Sequence, residues 1–512
     1  MTLTLGILLF CQGWDYYARV ELPWKNWVCL LAGMAGLALL AGGAWLIMKP
    51  TKNARRRLWV MGGVSVLSAV LIFYCSAHYG FTPGWDPAFV RQDMYNLANG
   101  FTEDLSHEYF SYYPNNLLLT IFFSWLYRLA APLGMRGQEY FLIHGFQCAG
   151  FGLVLFLIYL CSEKLLDGKR PDISLWCWMT GLLLVGISPW VAVQYTDAAA
   201  MILVAVETWL FLKAREGRHR PLWIGLLFFL GAIAFRVKPQ TLILLIAAVL
   251  MRLLGEGKEI FSAQNLRRTA ASACALILGA GLGISLNAWA YHGSGYHLNP
   301  EAQFGISHYL KMVLNETEMG GYAEEDVRSS EVAPDRAERD RVNWEIISER
   351  VSTMGIPGLW KQAVRKTLTN YGDGTFGWEQ EGMFYSYDSY YFKGGNRWFF
   401  EHVQPFYISA EYGEMVDESY SHVWRILCQC IWMGTLLLGI FSYDRKTEHR
   451  VGTLQLAILG LTLFELLFEA RARYLFGYAP VYVMLAGVGL AGLTGRMFRR
   501  EPAFLDKAEG GE

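Results

Sequence analysis

Two acidic side chains stand at places where the chain enters a helix or an apolar segment. Asp86 precedes Pro87 in the motif Gly-Trp-Asp-Pro, and Asp197 precedes the apolar run 198–212. An acid in such a place ordinarily caps the helix, and the sequence alone leaves that alternative open. A carboxylate near a membrane boundary can also accept the proton of an attacking hydroxyl group. We therefore take both acids as candidate site residues.

A second carboxylate and an amide-rich motif follow Asp86 in the same polar stretch. Asp93 is seven residues further on, near the same helix face, where we expect a solvated side chain paired with an arginine or a lysine. The segment 109–116 then reads Tyr-Phe-Ser-Tyr-Tyr-Pro-Asn-Asn and opens the next apolar run. Asparagine caps helices and tyrosine anchors them at a membrane boundary, so structural roles are alternatives here as well.

The motif Arg236-Val-Lys-Pro-Gln240 places two cations beside a helix-breaking proline. The apolar runs on either side, 223–234 and 241–253, are about twelve residues each. We expect two short helices that form a discontinuous hairpin, reaching into the bilayer from the cytoplasmic side. An ionisable residue at membrane depth is a functional candidate. The alternative is that Arg236 and Lys238 extend from a helix end toward the membrane surface.

Two arginines follow an acid between the last two apolar runs, in Glu469-Ala-Arg-Ala-Arg473. Arg471 and Arg473 are two apart, so they do not share one face of a helix and one of them is free to turn inward. A guanidinium group binds phosphate through parallel hydrogen bonds, which makes this pair a candidate phosphate site. Pairing with Glu469 or with lipid headgroups is the alternative.

The composition is that of a membrane protein rather than a soluble one. Of the 512 residues, 54% are apolar, 15% aromatic and 17% charged, whereas an average soluble domain has about 25% charged residues. The net charge of −1 gives no electrostatic support to a nucleic-acid partner. The nine cysteines are not spaced as zinc ligands, and none lies between residues 291 and 427. We therefore expect no metal site, and no disulfide in the longest polar stretch.

The apolar runs predict an all-α polytopic membrane protein of about 11–13 hydrophobic helices. The clearest runs are 26–48, 58–77, 139–161, 174–192, 198–212, 268–290, 423–441, 451–468 and 475–494. Basic loops, which favour the cytoplasm, lie at 49–57, 164–170, 213–220, 252–268, 444–450 and 496–500. This orientation places residues 77–116, 195–197, 292–422 and 469–473 outside. The runs 117–131 and 139–161 cannot both cross, because an odd number of crossings is needed there, and either one could return.

These assignments divide the chain into four parts. Residues 1–291 form an N-terminal transmembrane module that contains the first extracytoplasmic loop, 77–116. A large extracytoplasmic loop or insert, 292–422, precedes the C-terminal transmembrane helices in 423–500. Residues 501–512 are expected to be a cytoplasmic tail.

The order of these motifs resembles the GT-C class of membrane glycosyltransferases, close to the protein O-mannosyltransferase-like integral membrane proteins of Gram-positive bacteria. After the first-loop acid come Tyr-Pro-Asn-Asn, Tyr-Thr-Asp, Lys-Pro, His-Tyr-Leu-Lys-Met, Gly-Asp-Gly-Thr-Phe and Arg-Ala-Arg-Tyr-Leu, between about Gly84 and Leu485. The resemblance implies a GT-C-like fold in the bacterial plasma membrane, with an extracytoplasmic active site. It also implies a hexosyltransferase that moves a sugar from a polyprenyl-phosphate donor to a cell-envelope glycan or protein, with inversion.

The resemblance further implies roles for individual residues. Asp86 matches the general base of such enzymes, and Lys238 and Arg473 match positions that bind the donor phosphate, with Arg471 a weaker choice. The positions that match the substrate-binding surface are Asp197, Asn115, Asn116, Tyr113 and His308. Asp86 is followed by Pro-Ala rather than by a second acid, which departs from the Asp-Glu mannosyltransferases. No metal or other cofactor is required for a monophosphate donor, because the cations of the protein can neutralise it.

Three other functions are alternatives, and one of them, an assembly scaffold, leaves a lysine at membrane depth, Lys238, unexplained. A polymerase or ligase that uses polyprenyl-diphosphate-linked oligosaccharides would also use outer arginines, but it needs no acid in the first loop. A lipid or sugar transporter would distribute charged residues along a pore and would often contain repeated halves. The polar residues here cluster on one side, and no internal repeat is evident.

Overall fold

The apolar runs fold as α-helices, because a helix satisfies its backbone hydrogen bonds within its own segment. The structure is a computed structural model that describes residues 1–11, 24–51, 53–78, 84–216, 219–260, 266–382, 397–408, 410–411, 414–415, 420–442 and 448–498. The helices in these ranges are α1 Thr2–Phe10, α2 Asn26–Met48, α3 Ala54–Ser76, α4 Trp85–Asn99, α5 His107–Tyr112, α6 Leu117–Ala130, α7 Glu139–Leu165, α8 Pro171–Gly181, α9 Thr196–Ala214, α10 Arg220–Val237, α11 Leu242–Ile260, α12 Leu266–His292, α13 Ile306–Val313, α14 Glu324–Glu331, α15 Arg336–Tyr371, α16 Trp378–Glu381, α17 Arg397–His402, α18 Ser421–Ile440, α19 Glu448–Leu467 and α20 Ala479–Phe498. Two short antiparallel strands, β1 Ala410–Glu411 and β2 Glu414–Met415, complete the described structure. The expected cytoplasmic tail, 501–512, lies outside the described residues.

Eight of the described helices are long and apolar enough to cross a membrane. They are α2, α3, α7, α10, α12, α18, α19 and α20, the last taken with the turn before it, and the mean hydropathy of their most apolar windows lies between 1.5 and 2.1. With the shorter or more polar helices α1, α6, α8, α9 and α11, the described ranges contain thirteen hydrophobic helices, within the expected range. The all-α polytopic membrane fold that the sequence predicts is confirmed.

Burial separates the helices in the middle of the bundle from those on its surface. The segment Ala472–Gly495, which contains α20, is 83% buried over its most apolar window, whereas α2 and α12 are 17% buried. Trp176, Trp432 and Tyr482 pack in the centre and are at most 1% exposed. The leucines on the outer faces of α2 and α12 are exposed, which suits helices that face lipid hydrocarbon.

The helix ends meet in two groups, which we call the basic end and the loop end. At the basic end, Arg57 of α3 lies 3.6 Å from Glu163 of α7. At the loop end, Ser76 Oγ of α3 lies 2.7 Å from His144 Nε2 of α7. Further contacts at the basic end join Lys164 to Glu216 and Arg450 to the carbonyl of Lys164. Four of the basic loops predicted to be cytoplasmic therefore meet at the same end of the bundle.

Both ends of helix α6 lie on the same side of the bundle, which bears on the question that the sequence left open. It follows Asn116, whose side chain donates to Tyr109 Oη at 2.6 Å. Its last turn carries Arg128, which donates to the carbonyl of Ala98 at 3.2 Å. Both partners belong to the polar stretch 84–116, so both ends of α6 lie at the loop end. The crossing helix is α7, which runs from the loop end to the basic end.

The hairpin around Lys238 is longer than the sequence predicts. Helices α10 and α11 have 18 and 19 residues, so the expectation of two half-length helices meeting inside the bilayer is wrong. The helices extend past the apolar runs because basic residues such as Arg220 and Arg252 continue a helix readily. Pro239–Thr241 forms a short 3-10 turn between them, and Lys238 reaches the loop end, where it pairs with Asp197.

Part of the long polar stretch packs against the membrane helices. Helix α15 bends at Gly355, whose φ of 54° is a left-handed conformation that suits glycine. In its second half, Lys366 Nζ donates to the carbonyl of Leu466 at 3.0 Å. The hydroxyl oxygens of Tyr371 and Tyr482 lie 2.8 Å apart. The chain after α15 therefore begins within the bundle, at the level of the last turns of α19.

Candidate functional site

A buried ion pair joins the Lys-Pro motif to the Tyr-Thr-Asp motif. Lys238 Nζ donates to Asp197 Oδ1, and Arg473 Nη1 donates to Asp197 Oδ2 at 3.2 Å. The three side chains are at most 7% exposed. Asp197 lies in the first turn of α9, where the positive end of the helix dipole favours a carboxylate. The N-cap of this helix is Tyr195, so the capping alternative for Asp197 is wrong.

Two glutamates extend this ion pair to the second arginine. Glu381 Oε1 lies 3.3 Å from Arg473 Nε and 3.7 Å from Arg471 Nη1. Glu469 Oε1 accepts a hydrogen bond from Arg471 Nε at 3.0 Å, which is the pairing that the sequence left as an alternative. We call the set of three cations and three carboxylates the ion cluster: Lys238, Arg471, Arg473, Asp197, Glu381 and Glu469.

Both arginines turn inward, whereas the sequence predicts this for one of them. The expectation assumed a helical backbone, in which residues two apart point in different directions. Arg471 instead has φ −152° and ψ 126°, an extended conformation, and the following residues Ala472–Tyr478 form a 3-10 turn. Because Arg471 is extended and Arg473 lies in the turn that follows, the angular spacing of a helix does not apply, and both arginines contact Glu381.

Aromatic rings cover two of the three cations of the ion cluster, Lys238 and Arg473. The guanidinium carbon of Arg473 lies 4.5 Å from the ring centroid of Trp85 and 5.0 Å from that of Tyr474. Lys238 Nζ lies 4.6 Å from the Tyr474 centroid. Such contacts stabilise a cation that has lost its water. Trp85 has a φ of 36°, which is uncommon for a residue with a side chain and is found more often at functional sites.

Asp86 lies at the edge of the ion cluster. Its Oδ2 accepts a hydrogen bond from Tyr195 at 2.9 Å, and the Tyr195 ring centroid lies 5.6 Å from the guanidinium carbon of Arg473. Helix α4 starts one residue before Asp86 and has Gly84 as its N-cap, so the capping alternative is wrong here too. Asp86 keeps part of its surface open. Burial raises its pKa above that of an ordinary aspartate, while the charge of Arg473 and the hydrogen bond from Tyr195 act in the opposite direction.

Tyr109 connects the Tyr-Pro-Asn-Asn motif to Asp86. It hydrogen-bonds Asp86 and accepts a hydrogen bond from Asn116 Nδ2 at 2.6 Å. Asn115 Nδ2 donates in turn to Asn116 Oδ1 at 3.0 Å. The ring of Tyr113 lies 5.4 Å from that of Tyr109, between centroids. A chain of hydrogen bonds therefore connects the two asparagine amides to Asp86 through Tyr109, and the ring of Tyr113 lies beside that of Tyr109.

His308 is connected to Tyr113 through the ring of Phe304. It stacks on Phe304 with 3.9 Å between ring centroids, and Phe304 packs edge-on against Tyr113 at 5.4 Å. Its Nδ1 lies 2.8 Å from Ser330 Oγ. Burial, with a smaller contribution from the charge of Lys311, lowers the pKa of His308 to about 3, so the ring is neutral near neutral pH. The contacts described for His308 thus support Tyr113 through Phe304.

Asp93 is separated from the site by its own partners. It is 0% exposed and accepts hydrogen bonds from the backbone nitrogen of Ser106 at 2.7 Å and from Ser106 Oγ at 2.9 Å. Tyr296 Oη donates to it at 2.6 Å. The expectation of a solvated carboxylate paired with a cation is wrong, because this face of α4 packs against the segment that follows α12.

Sequence reasoning assigned no role to three residues of this region: Tyr195, Glu381 and Glu465. Glu465 of α19 is 1% exposed, and within the described residues its carboxylate oxygens have no hydrogen-bond partner. Lys366 and Lys238 act on it electrostatically. An acid inside an apolar run is a signal that points to Glu465. Glu381 carries no comparable signal, since it is one of many acids in a polar stretch.

The arrangement combines a proton acceptor with an anion site. Asp86 can accept a proton, and the adjacent cations can bind a group with several oxygens. The nine candidate residues expected from the sequence all lie in this region of the loop end, where His308 and Asn115 are connected to the site through other side chains. In the part of the chain that the structure describes, no group of three or more metal-ligating acids, histidines or cysteines is placed to hold a metal ion. The metal-free reaction stays a prediction.

Comparison with known proteins gives one match. No curated protein and no solved structure matches this chain. A family described as conserved hypothetical integral membrane protein matches residues 45–491, a range that includes Asp86 and the whole ion cluster. That description agrees with the eight apolar helices that are long enough to cross a membrane. The match covers most of the sequence, and the chain therefore belongs to this family of conserved hypothetical integral membrane proteins.

Proposed function

We propose that this protein is a GT-C-type hexosyltransferase that moves one sugar from a polyprenyl-phosphate donor to an acceptor outside the membrane. The observation that carries the proposal is the position of Asp86 beside the ion cluster, with Tyr195 in contact with both. An inverting displacement needs a base on the acceptor side and fixed cations on the leaving-group side. The order of motifs described above supports the same class of enzyme.

In the proposed reaction, Asp86 takes the proton of an acceptor hydroxyl group as its oxygen attacks the anomeric carbon of the donor sugar. The new glycosidic bond forms while the bond between the anomeric carbon and the phosphate oxygen breaks. The electron pair of the broken bond leaves with the polyprenyl phosphate. Lys238 and Arg473 stabilise the charge that develops on the leaving oxygen, and they do so more strongly in the transition state than in the bound donor.

The loop end is the extracytoplasmic side in this proposal. The basic loops meet at the opposite end of the bundle, and loops rich in lysine and arginine stay in the cytoplasm. The donor is then a sugar linked to a membrane lipid at the outer surface of the bacterial plasma membrane. The acceptor is a cell-envelope glycan or a protein on the same side.

The test uses purified protein in nanodiscs with polyprenyl-phosphate hexoses as donors and release of free polyprenyl phosphate as the readout. We expect turnover by the parent and no turnover by Asp86→Asn, while donor binding survives in the variant. A folded parent that neither binds nor turns over any monophosphate donor would overturn the proposal.

The same experiment separates the alternative functions. Activity with diphosphate-linked oligosaccharides that survives Asp86→Asn would favour a polymerase or ligase. Movement of the intact lipid or sugar between leaflets without chemical change would favour a transporter. The six side chains of the ion cluster lie together at the loop end rather than being distributed along the bundle, which supports a reaction site rather than a charged pore.

A further inference from the structure

The charges of the ion cluster cancel. Lys238, Arg471 and Arg473 face Asp197, Glu381 and Glu469, three cations against three carboxylates. Four of the six residues, Asp197, Glu381, Lys238 and Arg473, are at most 7% exposed. The side chains of Glu469 and Arg471 are 14% and 16% exposed. An extra anion in such a place would be an uncompensated buried charge, which is strongly unfavourable. A phosphate group can therefore enter only if it replaces one of the carboxylates.

Two of the three carboxylates are firmly held. Asp197 is 1% exposed, belongs to the first turn of α9 and is shared by Lys238 and Arg473. Glu469 belongs to the same short segment as the arginines. Its oxygens accept hydrogen bonds from Arg471 and from Tyr474 Oη, each at 3.0 Å. Replacing either one would break hydrogen bonds that hold the cations in place.

Glu381 is held differently. Its Oε1 lies between the two guanidinium groups, 3.3 Å from Arg473 and 3.7 Å from Arg471. The contact of Asp197 with Arg473 is 3.2 Å, and that of Glu469 with Arg471 is 3.0 Å, so each arginine has a nearer carboxylate than Glu381. Arg473 Nε is buried and makes no hydrogen bond within the described residues, so the carboxylate does not use this donor. A phosphate oxygen in the same position could accept from it, because guanidinium donors match phosphate geometry.

We propose that Glu381 occupies the position of the donor phosphate until the donor binds, and that the single charge it gives up selects donors whose phosphate carries a single negative charge. This inference rests on the proposed function for the nature of the donor. A sugar linked through one phosphate is a phosphodiester with one negative charge, so it replaces the carboxylate and leaves the cluster balanced. A diphosphate-linked donor carries at least one more charge and leaves it unbalanced.

The inference is tested by calorimetric binding of methyl farnesyl phosphate, a lipid phosphodiester with one fixed charge, to the full-length protein in detergent. Glu381→Gln removes the competing carboxylate, and we expect its Kd to fall by about tenfold, a change typical of one close charge pair. Glu381→Asp keeps the charge but is one methylene shorter, so it cannot reach between both arginines. It is expected to tighten binding as well.

Three controls test displacement against a general change in charge. Glu469→Gln removes the same charge but leaves Glu381 in place, and it should tighten binding less than Glu381→Gln does. Farnesyl diphosphate should bind the parent more weakly than the diester, and Glu381→Gln should keep that preference, because the ligand faces the same three cations and two carboxylates in both proteins. Arg473→Gln should abolish binding with either residue at position 381. Thermal unfolding of each variant checks that it is folded.

The outcomes distinguish the inference from the proposed function. Unchanged or weaker binding by folded Glu381→Gln overturns the inference and leaves the enzyme assignment standing if the parent binds the diester. Equal tightening in Glu381→Gln and Glu469→Gln, with none in Glu381→Asp, also overturns it, because charge alone would then explain the result. Failure of the parent and of every variant to bind the diester counts against the phosphate site itself.

Discussion

The start and the middle of helix α4 carry the same side chain in opposite surroundings. Asp93 is fully buried, and both of its oxygens accept hydrogen bonds from Ser106 or Tyr296. Asp86, two turns earlier, accepts from Tyr195, keeps part of its surface open and lies beside the ion cluster. Asp93 accepts three hydrogen bonds in a fully buried position and holds the fold together. Asp86 is bonded to Tyr195 and Tyr109 but keeps part of its surface open, so it can take a substrate proton.

The comparison shows that spacing and burial do not identify a catalytic acid by themselves. The two residues are seven apart on one helix, and burial raises the pKa of both. The partners differ instead. The hydrogen bonds of Asp93 come from the loop after α4 and the segment after α12, while Asp86 faces an arginine and an aromatic pocket.

The largest expected difference between the two acids is in catalysis. Asp86→Asn removes the proposed base and should lower the transfer rate by about 10²–10⁴-fold, the usual contribution of general base catalysis. Asp93→Asn should change the rate far less, because its partners lie away from the ion cluster. Polyprenyl phosphate release by the two purified variants measures both effects. Similar losses in the two variants, each folded, would contradict the division of roles.

The sequence was sufficient to find Asp86, Asp197 and Lys238, because each stands at a break between an apolar run and a proline or helix start. Their pairing could not be derived, since Lys238 and Asp197 are 41 residues apart and meet only through the packing of α9 with α10. The length of α10 and α11 was also missed. Basic residues at helix ends resemble loop residues in a hydropathy pattern, although they continue a helix readily.

The next largest effect is expected in donor binding. Arg473 contacts Asp197 and Glu381 with different nitrogens and packs on Trp85. Arg473→Lys keeps the charge but offers no planar fork, so it should lose at least one charge-assisted hydrogen bond. The Kd of a polyprenyl-phosphate hexose should rise by about 10–100-fold, corresponding to about 1.5–3 kcal/mol.

Arg328→Lys is the matched control for this change. Arg328 lies on α14, is 73% exposed in its side chain and pairs with Glu324 one turn away. Its replacement should leave the Kd unchanged. Equal binding by Arg473→Lys and the parent, measured by calorimetry, would remove Arg473 from the phosphate site.

Glu381 marks the limit of what the sequence reveals about the site. It meets Arg473 across 92 residues of chain, after a turn in which Phe376 and Gly377 have φ of 56° and 79°. The Gly-Asp-Gly-Thr-Phe motif indicates a turn, but no local pattern specifies where the turn directs the next acid. Long-range ion pairs of this kind depend on the packing of whole helices, which periodicity does not encode.

A smaller effect is expected at Asp93, in the middle of α4. Tyr296→Phe removes the hydroxyl group that donates to Asp93 at 2.6 Å and leaves a buried oxygen with fewer partners. The free energy of unfolding should fall by about 1–3 kcal/mol, the cost of an unsatisfied buried group. Thermal unfolding in detergent measures this change, and the transfer rate of the folded variant should stay close to that of the parent. Loss of activity without loss of stability would show that Asp93 belongs to the site after all.

The smallest effect is a shift in the pH dependence of the transfer rate, which depends on Asp86 at the start of α4. A general base works when ionised, so the rate should rise with pH through the pKa of Asp86. Burial places that pKa above the ordinary aspartate value, and the acidic limb should lie correspondingly higher. The hydrogen bond from Tyr195 lowers the pKa, because it stabilises the ionised carboxylate. Tyr195→Phe should therefore move the acidic limb to higher pH and leave the rate well above it nearly unchanged.

Initial rates of polyprenyl phosphate release across the pH range test this displacement. Tyr296→Phe, which removes the corresponding tyrosine from Asp93, serves as the control and should leave the limb in place. A limb that moves to lower pH in Tyr195→Phe, or moves equally in both variants, would show that the limb reports a group other than Asp86. A limb that survives in the residual activity of Asp86→Asn would do the same. The direction of the shift, and the variants in which it occurs, therefore identify the titrating group. The absolute rate of each variant is not needed for this assignment.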